Sequence, residues 1–296
     1  MFKKIREKRG HVTDTAIWVG VVIVSIIAGC LFINKKVNKE HTIIKDFTEH
    51  PIITHAMGEI EDNPYTNSKE AFIYNYKKGA RVFEVDLVET LEGKVVARHD
   101  WNNRLYETLG QNYVPDEKDK PLTYEKFKSM KIHNKYTPID FEEILDLMLK
   151  YKDVYIVTDT KSGYSEDAER VFGKIIKMVN EKNPKLIDRI VPQIYSQAMY
   201  PTMKKLYDFN NILYTLYMDL STDEEVIKFA VDNNITGVVM SESRYNRNLV
   251  DSLNKNNIKT YVHTINDSST ANKYIKNGVF GVYTDYPEIE DELSNK

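Results

Sequence analysis

The sequence predicts an α/β protein: a (β/α)8 barrel of the TIM type, preceded by one N-terminal transmembrane helix. Three observations carry this reading. Short β-rich runs alternate with amphipathic stretches from Pro51 onward, eight such runs can be counted, and an uncharged apolar stretch stands apart near the N-terminus. Strand, helix, strand repeated along a chain means a parallel sheet, and eight repeats mean closure. The 246 residues of 51–296 also approach the roughly 250 typical of such a barrel.

The N-terminal 14 residues form a basic tail carrying Lys3, Lys4, Arg6, Lys8 and Arg9. Residues 15–33 hold nineteen positions without a charge, long enough to cross a hydrocarbon core as a helix. The basic flank favours a cytoplasmic N-terminus, so the expected location is the cell membrane, single-pass, with the folded body outside. Ile27-Ala28-Gly29-Cys30 offers the alternative of a lipoprotein anchored at Cys30, but Leu31, Phe32 and Ile33 continue the apolar run beyond it. Residues 34–50 read as a polar tether and 51–296 as the barrel domain.

Candidate strands fall at 52–54, 81–88, 154–158, 190–194, 212–216, 236–240, 259–264 and 281–283, and helical patterns at 68–78, 140–150, 167–180, 199–207, 223–233, 247–256 and 269–277. Asp140 and Asp223 are placed to cap helix N-termini, and Gly79 and Gly278 to follow C-termini. Glu92-Gly93 signals a hairpin that folds a short strand, 94–98, back on the second. An open doubly wound sheet is the runner-up, but its Gly-rich phosphate loop is missing after the first strand. Residues 100–139 are too long for an ordinary βα link, and long links in compact domains are usually functional.

Charge and cysteine usage exclude several functions. The net charge is −3, and residues 1–40 carry eight Lys/Arg against three Asp/Glu, which leaves 33 basic and 41 acidic residues in the rest. An acidic body without a basic stripe argues against nucleic acid as a partner. The single cysteine excludes an internal disulfide framework and a Cys-rich zinc site.

Chemistry in a barrel sits at the C-terminal ends of the strands, and the notable polar residues gather there. His55 follows the first strand; Glu84 and Asp86 share one face of the second; His99 ends its hairpin; Asp159 and Lys161 end the third. Gln193 and Tyr195 follow at the fourth, Ser241 and Glu242 at the sixth, His263 at the seventh and Asp285 at the eighth. Two hard carboxylates side by side suit Ca2+ or Mg2+, and a nearby imidazole moves protons near neutral pH. A glycoside hydrolase would also use two carboxylates, but they must flank the sugar rather than share a strand face.

These residues carry a resemblance. His55, Ala71-Phe72, Gly79, Glu84-x-Asp86, Thr90, Gly93, Val96, His99-Asp100, the run 138–145 and the closing Thr284-Asp285-Tyr286-Pro287 resemble the signature of the glycerophosphodiester phosphodiesterase family, within the phosphatidylinositol phospholipase C-like superfamily. The resemblance covers roughly 51–288. It implies a phosphodiesterase with one divalent cation, Ca2+ or Mg2+, held by Glu84, Asp86 and Asp159, with His55 and His99 in acid/base catalysis and Lys161 on the phosphate. Trp101, Tyr195, Glu242 and His263 are candidates for the substrate pocket, whereas His11, His41, His50 and His133 read as structural. The implied substrate is a glycerophosphodiester, a lipid headgroup or a glycerol-phosphate or glycan wall polymer. An intact phospholipid or a catalytically silent binding barrel are the alternatives. Three departures bear on substrate: His55-Ala56-Met57-Gly58 lacks the family's arginine, Tyr65-Thr66-Asn67-Ser68 replaces Glu-Asn-Thr, and Asp159 stands where Glu is usual, as in the sphingomyelinase D branch.

Overall fold

The computed structural model describes residues 45–112 and 119–293. The basic tail, the apolar run 15–33, Cys30, His11, His41 and residues 34–44 lie outside them. Among the described residues, no helix is long and apolar enough to cross a membrane.

Eight parallel strands close into a barrel: β1 (Ile52–Thr54), β2 (Val82–Glu89), β4 (Tyr155–Asp159), β5 (Ile190–Ile194), β6 (Leu213–Thr215), β7 (Gly237–Ser241), β8 (Lys259–His263) and β9 (Gly281–Thr284). Pairing of Thr54 with Phe83 closes the ring. The short strand β3 (Val95–Ala97) lies antiparallel on the far half of β2, as the hairpin signal predicts. Helices α1 (Lys69–Lys77), α4 (Phe141–Lys150), α5 (Ser165–Lys182), α6 (Met199–Leu206), α7 (Asp223–Asp232), α8 (Arg247–Lys255) and α9 (Ser268–Lys276) follow the strands. The long link carries two further short helices, α2 (Asn103–Thr108) and α3 (Tyr124–Ser129).

Capping is local and readable. Asp140 accepts the Glu143 N–H at 2.9 Å while Glu143 reaches back to the Asp140 N–H at 3.0 Å, a reciprocal capping box at the start of α4. Asp223 does not cap α7: Thr222 does, one residue earlier, which frees the Asp223 carboxylate to bind Arg244 at 2.6 Å and Asn246 at 2.7 Å. Gly79 and Gly278 take the left-handed conformation just past α1 and α9.

Two cores result. Alternate strand residues fill the barrel interior with Ile53, Val82, Val157, Val191, Val239 and Tyr261, while the opposite faces pack against the helices. Phe47 joins the interior cluster and is fully buried, its ring 5.8 Å from that of Tyr155. Residues 45–50, at the end of the stretch expected as a polar tether, are therefore part of the barrel unit, which begins at Lys45. A polar surrounding sequence hid one buried anchor. His50 is buried beside Tyr155, its backbone carbonyl accepting the Tyr261 hydroxyl at 3.0 Å, and His133 packs on Tyr136; neither lines a cavity described below.

Candidate active site

Register brings the acidic side chains together. Asp86 pairs laterally with Asp159 and Glu84 lies two residues back on the same face of β2, so carboxylate oxygens of all three fall within 4.8 Å of one another. Glu84 and Asp159 line a cavity of about 310 Å3 at the C-terminal end of the barrel, to which His55, His99, Lys161, Tyr195 and His263 also contribute, and Asp86 lies fully buried behind them.

Each carboxylate is held differently. Glu84 Oε2 accepts the Ala56 N–H at 2.7 Å, and its Oε1 is buried with no hydrogen-bond partner. That backbone N–H is aimed by a turn in which Ala56, Met57 and Gly58 all take positive φ. A side chain at 58 would run into Asn75, whose Nδ2 holds the carbonyls of Met57 and Glu59 at 3.0 Å, so only glycine fits there. Asp86 is clamped by Asn67, which donates Nδ2 to Oδ2 at 2.7 Å and accepts the Asp86 N–H at 3.2 Å. Asp159 accepts from the hydroxyl of the fully buried Tyr195 and from the Lys161 N–H at 3.1 Å. The Lys161 ammonium bridges the pair, 2.5 Å from Asp86 Oδ1 and in contact with Asp159.

Three carboxylates crowd around one ammonium in this cluster. Burial, with the Asp86 charge behind it, pushes Glu84 up to about 8. Asp86 goes the other way: burial opposes its ionisation, but the charges of Lys161, His99 and His55 hold it below the usual carboxylate range. Burial likewise opposes the Lys161 charge, and Asp86, Asp159 and Glu84 outweigh it, raising the ammonium above its ordinary value. An unpartnered buried oxygen among hard anionic ligands is the donor set a divalent cation of the Ca2+ or Mg2+ type requires. The residues fit such an ion.

Both histidines carry a carboxylate on Nδ1. His55 Nδ1 lies 2.8 Å from Asp285, which is itself fixed by Asn266 at 2.6 Å; His99 Nδ1 lies 2.7 Å from Asp100, which accepts the Asn102 N–H at 2.8 Å. A carboxylate there selects the Nδ1–H tautomer and leaves Nε2 for chemistry. The Tyr65 ring stands between the two imidazoles, edge-on to His55 at 5.0 Å and to His99 at 5.8 Å. Burial disfavours the His55 imidazolium, but the Asp285 hydrogen bond and the charges of Glu84, Asp285 and Asp86 outweigh it and raise its pKa to about 9. His263 lines the cavity with Nε2 buried and unpartnered; burial first, and the His55 charge second, lower its pKa.

Two pocket expectations are corrected. Trp101 does not face the cavity: it packs with Val96, Tyr106, Leu122 and Phe127 beneath the long link, with the Arg98 guanidinium over its ring at 5.0 Å. Arg98 and Trp101 are both buried, and His99 and Asp100 stand half-buried between them. Glu242 is exposed in a short turn after β7 and accepts the Tyr274 hydroxyl at 3.1 Å, because Ser241 caps that turn and directs it outward. Asp285, marked in the sequence only as a strand-end polar residue, holds His55, and Gln193 lines the cavity as its strand-end place suggests; Asn67 and Asp100 emerge as positioning residues to which the sequence alone assigned no role, and Tyr65, Tyr217 and Thr264 as cavity walls. A second cavity of about 380 Å3 adjoins the first through Tyr65 and His99 and runs along α2 past Asp100, Arg104 and Leu105.

Residues 57–289 match the Glycerophosphoryl diester phosphodiesterase family. The chain belongs to that family. The Bacillus subtilis (strain 168) protein YhdW, named as a glycerophosphodiester phosphodiesterase, is 24% identical over 234 residues, covering 75% of this chain and 90% of its own. Among solved structures, an Oleispira antarctica phosphodiesterase in complex with the product sn-glycerol-3-phosphate superposes with a TM-score of 0.67 at 16% identity, covering 83% of this chain and 97% of that one. The glycerophosphodiester phosphodiesterase of Thermotoga maritima gives 0.62 at 17% identity, covering 82% and 97%. The family member described here is accordingly a phosphodiesterase that hydrolyses glycerophosphodiesters, with an acidic cluster compatible with a divalent metal.

Proposed function

We propose that the protein is a membrane-anchored, extracytoplasmic phosphodiesterase in which Glu84, Asp86 and Asp159 hold one Ca2+ or Mg2+, and His55 and His99 move the protons. The observation that carries the chemistry is the convergence of the three carboxylates at one cavity, lined by Glu84 and Asp159 and by two imidazoles whose Nδ1 atoms are each held by a carboxylate. When bound, the cation would neutralise charge on the non-bridging phosphate oxygens. Lys161 adds a second positive charge at the same wall. One imidazole takes the proton of the attacking hydroxyl or water, the other delivers a proton to the leaving alkoxide, and Asp285 and Asp100 stabilise whichever ring is charged. Asn67 keeps Asp86 from rotating, and Tyr195 does the same for Asp159. Glycerophosphodiesters are the substrates proposed first, with glycerol-phosphate wall polymers as a larger form of the same bond. The anchor is supported by the uncharged run 15–33 behind its basic flank.

The test is hydrolysis of glycerophosphodiesters and of bis(p-nitrophenyl) phosphate with added Ca2+ or Mg2+. His55→Ala and His99→Ala should each lower kcat by roughly 100- to 10,000-fold. Unchanged rates in both variants, or no hydrolysis of any diester by the wild type, would reject the mechanism.

A further inference from the structure

Among the described residues, four tyrosines line the catalytic cavity, and their hydroxyls are not equivalent. Tyr195 donates to Asp159, and Tyr283 donates to Gln193 Oε1 at 2.9 Å. Tyr217 is 59% exposed. Tyr65 is half-buried, and no hydrogen-bond acceptor among the described residues takes its hydroxyl. The phenol nevertheless feels the acidic cluster: burial, and then the charges of Asp285, Asp86 and Glu84, hold its pKa above the ordinary phenol value, with Lys161 opposing them. It is therefore a neutral O–H near neutral pH, a donor without an acceptor.

Its place is set by the histidines and by the backbone. The ring stands edge-on to His55 at 5.0 Å and to His99 at 5.8 Å, so a phosphoryl group flanked by the two imidazoles has Tyr65 as a neighbour. Tyr65 has φ +61°, a left-handed conformation that is unfavourable for a bulky side chain. The residues that follow impose it: Asn67 clamps Asp86 and donates its own N–H to the Ala56 carbonyl at 3.3 Å, and Ser68 Oγ accepts the Ala71 N–H at 3.1 Å to start α1. An unfavourable φ kept beside two imidazoles points to a use for the side chain it carries. Other donors nearby are committed or missing. The Lys161 ammonium is held by Asp86 and Asp159, and Ala56, next to His55, has no side-chain donor.

We propose that Tyr65 is a further catalytic residue, whose hydroxyl donates a hydrogen bond to a non-bridging oxygen of the phosphate between His55 and His99. The inference rests on the phosphodiesterase reading above and adds a neutral donor to it. Tyr65 keeps its proton throughout. It stabilises the charge that builds on that oxygen while the water oxygen bonds to phosphorus and the leaving alcohol oxygen takes up a proton. A protonated phenol suits the role, because it adds no negative charge to a cavity already lined by Glu84 and Asp159.

The experiment follows hydrolysis of glycerophosphocholine by the full-length protein with Ca2+ or Mg2+, comparing wild type with Tyr65→Phe, which keeps the ring and removes only the hydroxyl. Loss of one hydrogen bond to a charged oxygen should lower kcat by roughly 10- to 100-fold. KM should stay within about threefold, since the bond strengthens as charge develops. Replacing one non-bridging oxygen by sulfur then locates the contact, because sulfur is a weak acceptor. On the phosphorothioate diastereomer whose sulfur faces Tyr65 the variant should lose less than about threefold, and on the other it should lose the full factor. A Tyr65→Phe rate within about twofold of a wild type that cleaves glycerophosphocholine overturns the inference while the phosphodiesterase reading stands. An equal loss on the oxygen substrate and both diastereomers also overturns it, because Tyr65 would then act only by placing the imidazoles. Cleavage of none of these diesters by the wild type overturns both.

Discussion

The two ends of the barrel are built from the same strands on opposite principles. At the bottom, Phe47, Val82, Tyr155 and Val191 fill the interior, and the Tyr261 hydroxyl reaches the His50 carbonyl; burial there lowers free energy and leaves little undone. At the top, the next inward positions on β2 and β4 are Glu84, Asp86 and Asp159, packed together with one carboxylate oxygen unpartnered and positive φ at Ala56, Met57, Asn67 and Lys161. One layer of side chains along a strand separates a stabilising core from a site that costs stability. The contrast teaches that the site's supports, rather than its ligands, hold strain in check: Asn75 braces the turn under Ala56, and Asn67 braces Asp86.

Breaking a brace at the top should therefore cost activity far more than stability. Asn67→Ala should reduce kcat/KM by roughly 10- to 100-fold and weaken divalent-cation affinity by a similar factor, as loss of a residue orienting a metal ligand does. Steady-state kinetics and a cation titration on the same preparation would check both, and a stability loss without either change would make Asn67 merely structural.

A smaller effect is expected from Asp285→Asn. In EDTA-treated protein, burial alone would lower the His55 pKa; the Asp285 hydrogen bond, with Glu84 and the other carboxylates, lifts it from 6.5 to about 9. A raised histidine pKa adds stability that is fully present below 6.5 and is lost as pH rises through about 9. The variant should move the NMR titration of His55 back toward acid and flatten the slope of stability against pH in that window. An unmoved titration would mean that the ion pair does not govern His55.

The smallest effect on catalysis belongs to the bottom. Phe47→Ala should lower unfolding free energy by about 3–5 kcal/mol, measured by urea denaturation, while kcat stays within about twofold of wild type. A large fall in kcat at full occupancy of the folded state would erase the contrast between the two ends.

How much of this was legible in the sequence follows from periodicity. Glu84, Asp86 and the strand-end placement of Asp159, His55 and His99 were readable because strands alternate with period two and barrels put chemistry at strand ends. Asn67 was not, since it lies in a left-handed loop position that no period describes. Trp101 and Glu242 were misplaced because an aromatic or an acid just past a strand reads the same whether the next turn faces the cavity or away from it. Phe47 was lost inside a polar stretch. The approach of Met218 to Gly163 was invisible because the two lie in separate loops, after β6 and after β4.

The most direct measurement is a calorimetric titration of EDTA-treated protein with Ca2+ and with Mg2+, run in parallel with glycerophosphodiester hydrolysis, on wild type and on Asp86→Asn/Asp159→Asn. One ion per chain should bind to the wild type and restore hydrolysis, and the double variant should show neither. Hydrolysis that survives EDTA, or an ion that binds the double variant as tightly as wild type, would contradict the account.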